Sequence, residues 1–398
     1  MTAAIVPQGS VPDEPRHDSA WAHRLSSFRL TALAVLSALV LGAVIVAVSD
    51  IDKLKHGDVS GMLGTVRSAY AALAKGAFGS WRGWSETITA ATPLLFAGVA
   101  VALGFRAGLF NIGATGQMLM GGLAAVWVGF RFDLPAPLHV LLALLAAIIV
   151  GGLFGGVVGV LKARTGAHEV ITTIMLNYIA AGLSLWLLKT SEFQRPGRGD
   201  PVSKDIHRSA ELPSLFGFLN RSTLEIRAHA GFLIGLVAVV FFWWLMKRSK
   251  LGFEFRAFGA NADAARYAGM HPGRLTMAAM FMSGALAGLA GGSEILGGVT
   301  QKHATTGLAG NVGFDAIAVA LLGRSTPWGT AAAALLFGAL KAGGDKMQAD
   351  TGVPVDLVLV MRALIVLFVA APALTRLIWR VKDRGAEGGT PLFRGWGS

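Results

Sequence analysis

The chain has 398 residues, of which 54% are hydrophobic and only 15% charged, where a soluble domain carries about 25% charge. With a mean hydropathy of +0.58, an ordinary water-soluble enzyme is excluded. Lys and Arg outnumber Asp and Glu by 35 to 23, an excess that in so apolar a chain points to loops beside anionic lipid and not to nucleic acid. There is no cysteine, so disulfides, thiolate metal sites and cysteine nucleophiles are excluded. The nine histidines contain no H-x-x-x-H pair, and no metal site is expected. The composition is that of an all-α, polytopic membrane protein.

Residues 1–29, rich in Pro, Ser, Asp and His, read as a flexible cytoplasmic tail. A bilayer core of about 30 Å takes about 20 apolar residues per helix. Uncharged runs of that order fall at 30–48, 87–105, 107–130, 134–161, 170–188, 228–246 and 275–293. Three weaker runs follow at 307–323, 325–340 and 357–375, giving about ten transmembrane helices in a domain of residues 30–377. Residues 378–398 read as a second cytoplasmic tail.

The Lys/Arg totals on the two sides are nearly equal in this topology, but their density is not. Residues 247–274 pack six into 28 positions, whereas the long opposing loop, 189–227, spreads seven over 39. The charge rule therefore favours the first segment, and both termini, on the cytoplasmic side. The other long outer connection, 50–86, holds room for an interfacial helix with Trp81 and Trp84 at headgroup level.

Gly151, Gly155 and Gly159 recur every fourth residue, as do Gly152 and Gly156, and Gly284 and Gly288 repeat the spacing further on. Such faces let helix backbones approach closely, and tight packing within one subunit is favoured over a dimer interface. A short echo is also visible: A-V-A-L at 100–103 precedes Arg106 by the same interval as A-V-A-L at 318–321 precedes Arg324. Both copies would run in the same direction, as repeats of transporters can.

No G-x-x-x-x-G-K-[ST] cradle for ATP phosphates occurs, nor any H-E-x-x-H or G-x-S-x-G, so the chain does not read as an enzyme. Polar residues inside spans are costly and therefore informative. Asn111 and Gln117 lie in a glycine-rich junction (104–117), where they either border a polar pathway or cap the next helix. Glu169, Thr173 and Asn177 are four apart and share one helix face. Glu169 also suits a helix N-terminus, and Asn177 either lines a cavity or bonds to a neighbouring helix. Arg362 lies within a span, where it pairs with Asp356 or Glu294, snorkels, or lines the pathway. Asp315 and Glu294 are expected near outer helix ends. These titratable groups are what an ion-coupled secondary transporter, the rival reading, would have to use.

The most informative extramembrane segment is 247–272. Asn261 is a good N-cap, Asp263 suits a first turn, and Gly269 with Pro272 supplies a stop. The result is a helix of about two turns, too short to stand alone in water. It docks either on this chain's own helices or in another protein's groove, and Ala264, Ala265 and Ala268 suit a close approach.

Three stretches carry a resemblance: F-R-A-G-L-F-N-I-G-x-x-G-Q at 105–117, G-A-H-E-V-I-T-T-I-M-L-N-Y-I-A at 166–180, and G-A-N-A-D-A-A-R-Y-A-G at 259–269. With S-G-A-L-A-G-L-A-G-G-S-E-I-L-G at 283–297, they resemble permease subunits of bacterial ABC importers in the ribose and branched-chain amino acid branch. The nucleoside and simple-sugar subgroup is the nearest, over residues 85–377. The resemblance implies a multi-pass protein of the bacterial plasma membrane, in contact with membrane lipid and with no nucleic-acid partner. It implies ATP and Mg bound on separate ATPase subunits and no cofactor on this chain. Its further partners would be a second permease copy or paralogue and an extracytoplasmic substrate-binding lipoprotein. The implied coupling helix that docks on the ATPase falls on Gly259, Asn261, Ala264, Ala265, Arg266, Tyr267 and Gly269. Asn111, Gln117, Glu169, Thr173, Asn177, Glu294 and Arg362 are the candidate substrate pathway. The chain departs from the family pattern at Arg362, where a neutral amide such as Gln is expected.

Overall fold

The computed structural model describes residues 20–49, 55–215, 226–298 and 302–380; the tail segments 1–19 and 381–398 lie outside the described residues. Fourteen α-helices form there, and the only extended pairing among the described residues is three isolated bridges. In chain order the helices are α1 (Ala20–Ser49), α2 (Val59–Phe78), α3 (Trp81–Arg106), α4 (Ala114–Arg131), α5 (Ala136–Thr165), α6 (Glu169–Leu188) and α7 (Gly231–Arg248). Then come α8 (Lys250–Ala260), α9 (Ala262–Tyr267), α10 (Pro272–Leu296), α11 (Val312–Leu322), α12 (Pro327–Thr351), α13 (Asp356–Ala370) and α14 (Pro372–Trp379). Six are long and apolar enough to cross a membrane: α1 from Arg29, α3, α5, α6, α7 and α10. The expected count of ten is not reproduced by length and composition.

The core is built on α3, α10 and α12, which are sheathed by the other helices. α3 is buried without a break from Ala91 to Gly104, while α5 and α6 present rows of exposed Leu, Ile and Val, as a lipid-facing surface does.

Glycine sets how closely these helices meet. A Cβ on Gly155 would sit 2.5 Å from the Met280 carbonyl oxygen, and one on Gly151 would sit 2.6 Å from the Gly288 Cα. The α5 and α10 backbones are therefore in contact. Gly121 of α4 reaches the same Gly288, so three helices cross at a point where a side chain would force them apart. The glycine faces serve packing within the subunit, as expected. Gly76 does the same for α2 on α12, its notional Cβ falling 2.5 Å from Lys346 Cβ.

The molecule has two recognisable ends. At one, the cap end, residues 189–215 fold over α4, α5 and α10: His207 N donates to the Gly129 carbonyl (2.8 Å), Leu212 N to that of Leu296 (2.7 Å) and Ile206 N to that of Lys302 (2.9 Å). At the other, the elbow end, α8 and α9 join α7 to α10.

Several boundaries differ from the sequence reading. α1 begins at Ala20, so residues 20–29 continue a helix and are not tail. The outer connection contains a full 20-residue helix, α2, whose Tyr70 hydroxyl donates to the Leu39 carbonyl at 2.6 Å. The expected span at 307–323 is helical only over Val312–Leu322. Gly307 and Gly310 (φ +43°) interrupt it, and the 11 residues of α11 reach about 16 Å, too little to cross. α12 runs past its expected end to Thr351, because its Gly and Ala face continues onto α2. The last span breaks at Ala371–Pro372, and α14 returns Trp379 Nε1 to the Ser37 Oγ of α1 at 2.8 Å.

The sequence echo has a structural counterpart. α3 and α11 pack in parallel: a Cβ on Gly98 would sit 2.7 Å from Val319 Cγ1, and eight residues later Arg106 Nε donates to the Ser325 carbonyl at 2.9 Å.

Candidate functional site

Between α3 and α4 the chain breaks for seven residues, 107–113. The break turns on Gly108, whose φ of +69° is open to glycine at little cost. Behind it lies a closed amide network. Asn111, fully buried, donates from Nδ2 to Gln117 Oε1 (2.8 Å) and to Ser283 Oγ (2.8 Å). Its Oδ1 accepts from Gly113 N (2.9 Å) and Gln117 Nε2 (3.1 Å). Ser283 Oγ in turn donates to the Ala100 carbonyl at 2.7 Å. The N-cap of α4 is Gly113, with no side-chain bond, so Asn111 does not cap the helix; it fastens the break to α3, α4 and α10. Burial is affordable because donors and acceptors are matched within the network.

The next layer comes from α6. Asn177 Oδ1 accepts from Gly116 N (2.8 Å) and its Nδ2 donates to the Ile112 carbonyl (3.0 Å), the neighbouring-helix role and not an open cavity. Thr173, one turn away, lies beside Gly113, where a Cβ would be 3.1 Å from Thr173 Cβ. Its hydroxyl returns to the Glu169 carbonyl at 2.7 Å. Glu169 itself is held by Lys162 Nζ at 2.6 Å. Thus Asn111, Gln117, Thr173 and Asn177 gather around one break, with Glu169 at the foot of α6.

The remaining two candidates lie elsewhere. Glu294 is half-buried near the end of α10, about three turns beyond Ser283. Arg362 pairs with Asp315, not with Asp356 or Glu294: Nη1 to Oδ2 is 3.0 Å, with the side chains 11% and 18% exposed. Its Nη2 donates to the Phe337 carbonyl (3.3 Å), and the guanidinium lies 5.7 Å from the Phe337 ring centroid. Asp315 is therefore not a solvated group at an outer helix end. It opens the short α11 and ties α11 to α12 and α13 through Arg362.

The elbow comprises two helices, where the sequence reading drew one. Asn261 ends α8 and caps α9, its Oδ1 accepting from Ala264 N at 2.9 Å. α9 has only six residues. Ala265 alone is buried, at 3%, while Tyr267 is 94% exposed; Ala264 and Arg266 are exposed too. Gly269 takes φ +83° to turn the chain into α10. Gly259 has a different place from its neighbours. A Cβ there would fall 2.5 Å from the Arg106 carbonyl oxygen and 2.8 Å from Gly108 N. The elbow thus bears directly, backbone on backbone, on the break that Asn111 fastens. Beside it, Arg164, Arg266, His271 and Arg274 rim an open groove of about 720 Å³.

Sequence reasoning passed over Ser283, Lys162 and Gly108. The signal for Ser283 was a hydroxyl at the start of the glycine run of α10. For Lys162 it was a cation seven residues before Glu169.

The family described as branched-chain amino acid transport system / permease component matches residues 83–370. The guanosine ABC transporter permease protein NupP of Bacillus subtilis is 42% identical over 368 residues, 92% of this chain and 99% of that protein. The nucleoside ABC transporter permease protein NupB of Lactococcus lactis is 36% identical over 74% of this chain and 80% of its own length. The glucose ABC transporter permease protein TsgB13 of Haloferax volcanii is 35% identical over 84% and 85%. No solved structure matches. With most of its length matched, the chain belongs to this family of transport-system permease components.

Proposed function

We propose that this permease carries nucleosides inward, driven by ATPase subunits that grip α9. A permease component of an ABC transporter is not itself an enzyme, and it works with ATPase and binding-protein components as a multi-pass inner-membrane protein. In this reading ATP and Mg stay on the ATPases, and two permeases, identical or paralogous, enclose the pathway. A lipoprotein delivers cargo to the cap end, and both chain termini face the cytoplasm with the elbow. The guanosine and nucleoside permeases among the relatives support the cargo; the glucose permease makes a simple sugar the second reading.

The observation that carries the mechanism is the contact of Gly259 with Arg106 and Gly108. A displacement of α9 passes through α8 to the 107–113 break without a flexible intermediary. From there the amide network passes it to α6 and α10. Asn111, Gln117, Thr173 and Asn177 act in this reading as the hinge of the pathway wall, with Glu169 anchoring the foot of α6. An ion-coupled mechanism is less well supported, because Glu169 and Asp315 are each committed to a cation.

Deleting residues 264–267 in the assembled transporter tests the coupling. ATP-driven uptake should be lost while the protein still inserts and the ATPases still turn over. Uptake at the wild-type rate would refute the role of α9.

A further inference from the structure

The segment leading into α11 is irregular alongside α4, whose Gly121 and Gly122 pack on Gly288 and Gly291 of the span-length α10. After the cap end, where Ile206 N donates to the Lys302 carbonyl, the chain descends beside α4. Leu308 packs on Gly122, midway along α4, and Gly313 packs on Thr115 at its start. The segment is made of turns, such as Leu308 N to Thr305 O (3.2 Å) and Gly310 N to Gly307 O (3.0 Å), not of a helical ladder. Thr306, Gly307, Gly310 and Asn311 are exposed, and Phe314 is 60% exposed. Backbone polar groups of this kind occur at membrane depth only against protein or water. The described residues of this chain leave the face open.

We propose that the face formed by Thr306, Gly307, Gly310, Asn311 and Phe314 lines the water-filled translocation path, and that Asn311 and Phe314 touch the cargo. An exposed aromatic ring beside a carboxamide suits a nucleobase. The ring offers a stacking surface, and the amide can both donate and accept on the base edge. Arg362 is a positioning residue for this face. By holding the Asp315 carboxylate and the Phe337 carbonyl together, it fixes the first turn of α11, and with it the direction of Phe314. The nucleobase contact rests on the nucleoside reading above; the path-lining role does not.

The absence of cysteine makes the test direct. Single variants Asn311→Cys and Phe314→Cys, with Val237→Cys on the exposed face of α7 (65% exposed) as the lipid-facing control, are placed in the assembled transporter. Each is treated with a charged methanethiosulfonate and with a lipid-soluble maleimide, and labelling is read on this chain. Positions 311 and 314 should react with the charged reagent at least about tenfold faster than position 237. Reaction with the lipid-soluble reagent alone, or with neither, overturns the proposal. For the contact, Phe314→Ala should raise the KM for guanosine uptake about tenfold and Phe314→Tyr should restore it; an unchanged KM in Phe314→Ala refutes the contact. If the wild type transports no nucleoside yet position 314 labels rapidly, the cargo reading fails and the path-lining role stands.

Discussion

Asn111, Asn177, Ser283 and Arg362 are each tied to residues far away in sequence, and that decides what each can do. Asp315 and Arg362 are the clearest case. A buried pair gains little over apolar packing, but removing one partner strands the other charge, at a cost of about 3–5 kcal/mol. Arg362→Gln should therefore lower the melting temperature of the detergent-solubilised protein sharply, and Arg362→Gln with Asp315→Asn should recover most of the loss. An additive double variant would show that the pair does not couple. His229 offers a second test, at the cap end just ahead of α7. It is 3% exposed, and burial pushes its imidazole down to about 4. Between that value and the ordinary 6.5 the unfolded chain binds a proton that the folded chain refuses. Stability is thus complete above pH 6.5 and falls as the pH drops toward 4, by roughly 3 kcal/mol over the whole interval. Melting curves from pH 7 to pH 5 should show the decline, and His229→Gln should flatten it. From the sequence, Asn111 with Gln117, and Glu169 with Thr173 and Asn177 on one helix face, were recognisable because polar groups in apolar runs stand out; that the two groups meet was not. The partner of Arg362 was not, because Asp315 lies 47 positions away and its depth depends on a helix that stops short.

At the scale of the element, glycine spacing dictates the packing. The expected faces at 151–159 and 284–288 do meet, and a Cβ at Gly155 would press on the Met280 carbonyl oxygen, an atom that cannot yield without moving α10. Gly155→Leu should cost about 3 kcal/mol or more. Gly182→Ala, where nothing lies within 4 Å of the new Cβ, should be neutral or stabilise by about 0.5–1 kcal/mol. Thermal melting of the two variants side by side checks this, and equal losses would contradict it. Hydrophobic run length located most of the helices but misjudged those whose burial does not depend on lipid. α2 was visible only as a possibility because it packs on α12, and α11 was drawn too long because glycines in an apolar run look like span. The division of the elbow into α8 and α9 was hidden for a similar reason: Asn261 was read as the start of one helix when it also ends another.

Across the whole molecule, the elbow and the break form one mechanical unit. The sequence motifs for both were legible, 259–269 and 105–117, but nothing in their spacing showed that they touch; that is a property of how α7 and α3 lie together. The open glycine-rich approach to α11 completes the arrangement, as a wall of the path whose neighbours are set by the same core. The most direct test of the coupling route is ATP-driven nucleoside accumulation by the reconstituted transporter carrying Gly259→Val, with its melting temperature measured alongside. The added side chain displaces α8 from Arg106 and Gly108, so accumulation should fall at least tenfold while ATP hydrolysis and insertion persist. Accumulation at the wild-type level in a folded Gly259→Val transporter would contradict the account.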